Sequence, residues 1–301
     1  MSKGLTLSII FEAQSLNYGE SIGNVSELKK ITRADGRVLT FSSRQSIRYD
    51  IVRLGHELYG WNLDVVNKEK GTMQFKSDAT IKDSVEMDLF GYMKTSKGNQ
   101  SSVRSAVVRL THAVSLESYR GDLEFLSNMG LASRIGENAD LANIEQHASF
   151  YTYTLTADLA KVGVDENDEI ELSNDEKLER ITQLLEIIKV LNRHIRGRIE
   201  NLSPLFVIGG VYDYPIPYFL GRIKLEFDGD KVYIATQPIE EALNLTVKGE
   251  KVKDYTYVGL VKGIFENEND FSDILGENRV LSIEDFFNKM KEEVKNYYKG
   301  E

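Results

Sequence analysis

Strand-length apolar runs, interrupted by only three segments of helical period, constrain this chain more than any other feature. The first run, LTLSIIFEA (5–13), reads as a buried strand. ELKKITRADGRVLTF (27–41) reads as a hairpin turning at Asp35-Gly36. A helix follows to near Gly60, capped by Ser42 or Ser43, with Ile47, Ile51, Leu54 and Leu58 on one stripe. WNLDVVNKEKGTMQF (61–75) is a second, smaller hairpin. MDLFGYM (87–93) and VRSAVVRLTHAVSL (103–116) are strand-like arms around KTSKGNQSS, a polar tip with nothing to bury. HASFYTYTLTADL (147–159) alternates aromatic residues with threonine, as a strand with two different faces does.

The acidic stretch 164–180 reads as a solvated loop entering a second helix, roughly 175–196. Leu178, Ile181, Leu185, Ile188 and Ile195 share its stripe, and Gly197 is its cap. PLFVIGGVY (204–212) and YFLGRIKLEF (218–227) read as strands, and SIEDFFNKMKEEVKNYY (282–298) as a closing amphipathic helix. The order is α+β, one body with an inserted arm.

A formal net charge of −10 argues against a polyanion as partner until its distribution is read. Residues 1–135 hold 18 Lys and Arg against 15 Asp and Glu, whereas the remainder holds 19 against 32. Within 29–53 seven basic residues face two acidic ones, and no acid lies between Asp88 and Glu117. With no cysteine, disulfides and thiol catalysis are excluded and a reducing cytoplasm is the expected home. The apolar run at the N-terminus breaks at Glu12, too early for a signal sequence, and no stretch is long enough to span a membrane.

Catalytic patterns are sparse. His56, His112, His147 and His194 stand apart without metal-ligand spacing, and no nucleophile elbow, Walker A or dinucleotide fingerprint occurs. The acids of 164–180 lack the calcium-loop register. Asp35 is either a turn residue or a loop general base. The expectation is a protein that is not an enzyme and needs neither metal nor cofactor.

Binding patterns are richer. EAQSLNYGESIGN (12–24) sets Asn17 and Tyr18 on a polar loop after the first strand, where a tyrosine either packs or stacks on a base. Lys29, Lys30, Arg33 and Arg37 are either a solvated hairpin or, with Arg44 and Arg48, the side of a groove. Arg44 and Arg48 lie one turn apart beside the first-turn amides of a helix, an arrangement that suits a salt bridge or a phosphate. RHIRGRIE (193–200), with Arg196 and Arg198, is either a basic helix end or a turn that touches a nucleic-acid backbone.

In combination, NYGE after the first strand, SSRQSIRYDI, DLFGYM…VVRLTHAVSL, FYTYTLTADL and IRGRIENLSPLFVIGG resemble, in that order, the multi-copy backbone subunit of type I CRISPR Cascade complexes. The resemblance is to the DevR-like backbone proteins of the I-B subtype, in the RAMP superfamily, and extends to about residue 212. It implies a modified RNA-recognition-motif (ferredoxin-like) palm over 1–59 and 113–301, a small finger at 60–86 and a thumb hairpin at 87–112. It further implies copies stacked along one CRISPR guide RNA among other Cascade subunits, leaving most bases free to pair with target DNA. In that family the backbone subunit grips and does not cut.

A sequence-blind grip needs backbone contacts, since every spacer differs. The resemblance assigns these to Asn17, Tyr18, Lys29, Lys30, Ser42, Ser43, Arg44, Gln45 and Arg48, and to Arg196 and Arg198. It gives Phe90 and Met93 a wedge role against a displaced base, with core packing the other reading of Phe90, and sets Arg104 and Arg109 against phosphates. Arg44 stands between the serines and Gln45 where some relatives have glutamine directly, so the roles of Arg44 and Gln45 are interchangeable in the assignment. Two other readings remain: a type III-like ribonuclease using Asp35 and a divalent metal, and an RNA-recognition-motif scaffold unrelated to CRISPR.

Overall fold

The first strand, Gly4–Gln14, runs through the middle of a nine-stranded sheet, antiparallel to Ala148–Asp158 on one side and to Phe206–Tyr212 on the other. Beyond Ala148–Asp158 lie Ala113–Ser115, Val38–Ser42 and Lys30–Thr32, and Val108–Leu110 also pairs with that long strand. Beyond Phe206–Tyr212 lie Tyr257–Leu260 and, in parallel, Val280–Ser282. The computed structural model describes residues 3–69, 71–95 and 101–300, so the centre of the polar tip in the arm at 87–112 lies outside the described residues.

Seven α-helices occur among the described residues: α1 (Arg44–Tyr59), α2 (Val85–Phe90), α3 (Met129–Ala132), α4 (Asn174–Lys189), α5 (Gln237–Leu243), α6 (Asp270–Leu275) and α7 (Ile283–Lys299). Because side chains alternate along a strand, the first strand feeds two cores. Leu5, Leu7, Ile9 and Phe11 meet Ile47 and Ile51 of α1, Ile181 and Ile188 of α4, and Phe286 and Phe287 of α7. On the other face Ile10 joins Phe206, Ile208 and Val258 beneath Ile239 of α5 and Phe271 of α6. Gly209 sits where the strands press closest, since a Cβ there would collide with the Thr6 carbonyl.

Several elements depart from the sequence reading. The α1 stripe ends at Leu54, and Leu58 is exposed. Residues 85–90 are helical: Ser84 caps Met87, and only Tyr92–Thr95 is strand, paired with Ser101–Arg104. Gly91, with φ +73°, makes the corner, and a Cβ there would strike the Arg104 carbonyl. Helix α4 stops at Lys189, and Asn192–Ile195 pairs with Arg198–Asn201 instead. Arg196 and Gly197 are both left-handed, as a two-residue hairpin turn demands. Of 218–227, only the end belongs to a strand, Leu225–Asp228.

The acidic stretch is docked rather than solvated. Asp165 accepts from the Tyr92 hydroxyl at 2.8 Å, Asp168 holds Lys94 at 2.9 Å, and Asn167 donates to the Val103 carbonyl. A small core of Val65, Ala79, Ile81, Met87, Tyr92 and Leu172 fastens the 60–95 excursion to this stretch. A second projecting element was not read from sequence. Asp122–Ser127 and Leu141–Gln146 pair antiparallel, with α3 between them, and join Tyr18–Ile22 and Val25–Leu28 in a separate four-stranded sheet. Its Leu123, Phe125, Met129, Leu131 and Ile135 are all more than half exposed.

Candidate nucleic-acid interface

The start of α1 is built from short polar side chains. The Ser43 hydroxyl accepts from the Ser46 amide at 3.2 Å, and the buried Ser42 hydroxyl lies 2.6 Å from that of Ser46. Asn17, itself buried, donates to both Ser43 and Ser46. Asn17, Ser42 and Ser43 therefore fix the helix start and are not free ligands. The first-turn amides are not all open to a phosphate either, because the Arg44 N–H donates to His112 Nδ1 at 3.0 Å.

Beyond this knot, Arg44, Gln45 and Arg48 line an open cleft of about 360 Å³ with Phe90, Ala106, Val108, Arg109 and Leu110. Arg44 and Gln45 are exposed. Arg48 is held by Glu86 at 2.6 Å and lies over the Phe90 ring. Arg109 is exposed, with one bond to the Ala106 carbonyl. Helix α1 and the returning arm thus bring three guanidinium groups to one apolar-floored cleft, which suits a polyanion.

Other assigned residues are engaged elsewhere. Phe90 is 7% exposed and packs in the core while lining the cleft, whereas Met93 is exposed on the ribbon. The Arg104 side chain is largely covered: it pairs with Asp88 at 2.8 Å and donates to the Asp88 and Val164 carbonyls. It braces the excursion. Lys30 is clamped by Glu145 at 2.7 Å. Burial alone would raise the Glu145 carboxyl, but bonds from Lys30 and the Leu28 amide hold it below the usual range. Lys29, one residue away, has no carboxylate partner among the described residues.

Tyr18 donates to the Glu145 carbonyl, and Arg196 covers its ring at 4.3 Å. Arg198 is tied to Glu200 and to the Gln14 carbonyl. This second group belongs to the 192–201 hairpin, not to the α1 cleft. Asp35 accepts from the Arg37 amide and guanidinium at 3.1 and 2.8 Å, bonds that lower its pKa and close the turn. No three His, Asp or Glu converge as a metal site among the described residues. Nor, among those residues, is any helix long and apolar enough to cross a membrane.

The sequence reading missed His112. Its signal is Thr111-His112, two residues that break the alternation between Leu110 and Ala113, both on the helix-facing side.

No curated protein sequence matches the chain. Among solved structures, a subunit of a "CRISPR RNA-guided surveillance complex, pre-nicking" superposes with a TM-score of 0.58 at 13% identity, covering 95% of this chain and 99% of that one. A subunit of a "CRISPR RNA-guided surveillance complex" gives 0.55 at 12% identity, covering 99% of each chain. These likenesses establish a shared fold. Residues 5–231 match the family described as "CRISPR-associated negative auto-regulator DevR/Csa2", three-quarters of the sequence, and the chain is a CRISPR-associated protein belonging to that family.

Proposed function

We propose that this protein is a guide-RNA-binding backbone subunit of a type I-B CRISPR surveillance complex, polymerising along the RNA in the cytoplasm with other complex subunits and presenting the guide to target DNA. The observation that carries the reading is the cleft at the start of α1. In a chain of net charge −10, Arg44 has no carboxylate partner among the described residues and Arg109 is exposed beside it in the cleft, while Lys29, near His112 and outside the cleft lining, also has none. Among the described residues no carboxylate lines that cleft, Glu86 meeting Arg48 only at its edge, so its field favours phosphates of any sequence. The palm, in this reading an RNA-recognition-motif variant, is the large sheet with α1, α4 and α7 on one face, and the finger is the excursion after α1.

The element that reaches a neighbouring copy is, in this proposal, the arm at 122–146. Its exposed apolar residues support that role; in the 87–112 segment Phe90 and Arg104 are engaged at the base, while Met93 and Val103 are exposed. Neither alternative gains a supporting observation, since Asp35 is committed to its turn.

The test is to mix the purified protein with two RNAs of equal length and unrelated sequence. Equal affinity and ordered filaments on both are expected, with complementary RNA left intact in Mg²⁺ or Mn²⁺. Binding confined to one sequence would contradict the grip, and cleavage abolished by Asp35→Ala would establish the ribonuclease.

A further inference from the structure

Residue 112 lies at an irregularity in the sheet. Leu110 pairs with Leu155 and Val114 with Thr152, so three residues on one strand span two on the other. This is a bulge, a device that re-aims a side chain. Thr111 repairs the ladder, its N–H donating to the Thr154 carbonyl and its hydroxyl accepting from the Thr154 N–H. His112 is thereby turned to the start of α1, with its ring 5.1 Å from that of Phe41.

There Nδ1 accepts the Arg44 amide hydrogen. A backbone N–H only donates, so Nδ1 is unprotonated and the neutral ring carries its hydrogen on Nε2. The charged groups that face the ring are Arg44, from α1, and Lys29, from the link between the strands Val25–Leu28 and Lys30–Thr32. Partial burial and these two cations lower its pKa, so the ring is neutral at physiological pH. An exposed, oriented donor between two cations without carboxylate partners lacks one thing: an anionic oxygen.

We propose that His112 contacts the guide directly, its Nε2–H donating to a backbone phosphate oxygen held between Arg44 and Lys29; this rests on the guide-binding reading above. The contact is blind to base identity. It is also distinguishable from its neighbours, because a neutral donor displaces no counterion.

The test compares wild type with His112→Asn, whose Oδ1 still accepts from the Arg44 amide but which places no donor where Nε2 was. Affinities for oligouridine and oligoadenine are measured across a salt series. A loss of about tenfold on both, with unchanged salt slope and melting midpoint, is expected. Wild-type affinity in the variant, with or without a lower midpoint, would reduce His112 to a helix cap and overturn the inference. Loss on one oligomer only would mean base contact and also overturn it. If the variant does not fold, the His112 Nε2–H resonance of the wild type decides: a shift on adding oligouridine is expected, and none would overturn the contact. Should wild type bind neither oligomer, it is the proposed function that fails.

Discussion

Arg48 and Glu86 meet at 2.6 Å at the edge of the cleft, while Arg44, one helical turn earlier, has no carboxylate partner among the described residues. The two arginines are therefore not equivalent. Arg44→Ala is expected to weaken RNA binding equally for any spacer, to lower the salt slope by about one per site, and to leave the melting midpoint unchanged. Glu86→Gln frees Arg48 and is expected to tighten binding. Titrations of both variants at several salt concentrations check this; equal behaviour of Glu86→Gln and wild type would mean Arg48 does not reach the RNA.

Asp88 is fully buried and receives Arg104 at 2.8 Å, Arg180 at 2.7 Å and the Gly163 amide at 2.9 Å. Removing it takes from the buried Arg180 its carboxylate and leaves Arg104 only Asp165, at 4.0 Å, and carbonyl partners, so Asp88→Ala is expected to cost about 3–5 kcal/mol in urea unfolding. A loss below about 1 kcal/mol would show that water reaches the arginines once the carboxylate is gone.

His147 sits where the 122–146 arm rejoins the sheet, with Nδ1 2.7 Å from the Thr40 hydroxyl and Tyr119 edge-on to its ring. Burial lowers its pKa from 6.5, against the opposing fields of Glu117 and Asp122. Below that value the unfolded chain binds more protons than the folded one, so stability is lost as pH falls from 6.5 to the lower folded pKa. Urea midpoints between about pH 7.5 and 5.5 should fall more for wild type than for His147→Asn. Parallel curves would contradict this.

Phe125 and Met129, 62% and 66% exposed, contribute little to the isolated fold. Phe125→Ser with Met129→Ser should keep the melting midpoint but lose filaments on guide RNA, viewed by electron microscopy. Full-length filaments from the double variant would remove the arm from the assembly interface.

Where a local rule acts alone, the sequence reading held: Ser43 caps α1, Asp35-Gly36 turns its hairpin, and α7 follows its apolar stripe. It failed where tertiary partners decide. The apolar run 87–93 is too short to distinguish strand from helix, and the Ser84 cap resolves it. Ile195 continued the stripe of α4 by coincidence of spacing, while Arg196-Gly197 encoded a turn. Asp165 and Asp168 looked solvated because their partners, Tyr92 and Lys94, lie more than seventy residues away. Among site residues, Arg44, Gln45, Arg48 and Arg109 do share a cleft. Arg104 and Lys30 do not, since distant carboxylates claim them.

In the proposed function the α1 cleft holds a guide RNA of any sequence. The most direct test is to purify the protein from its native host, alone and as a Lys29→Ala, Arg44→Ala variant, and to sequence the nucleic acid that accompanies each. Repeat-spacer RNAs of uniform length carrying many different spacers are expected with the wild type, and their depletion with the variant. Unselected cellular RNA, DNA, or an equal yield of guide from both proteins would contradict it.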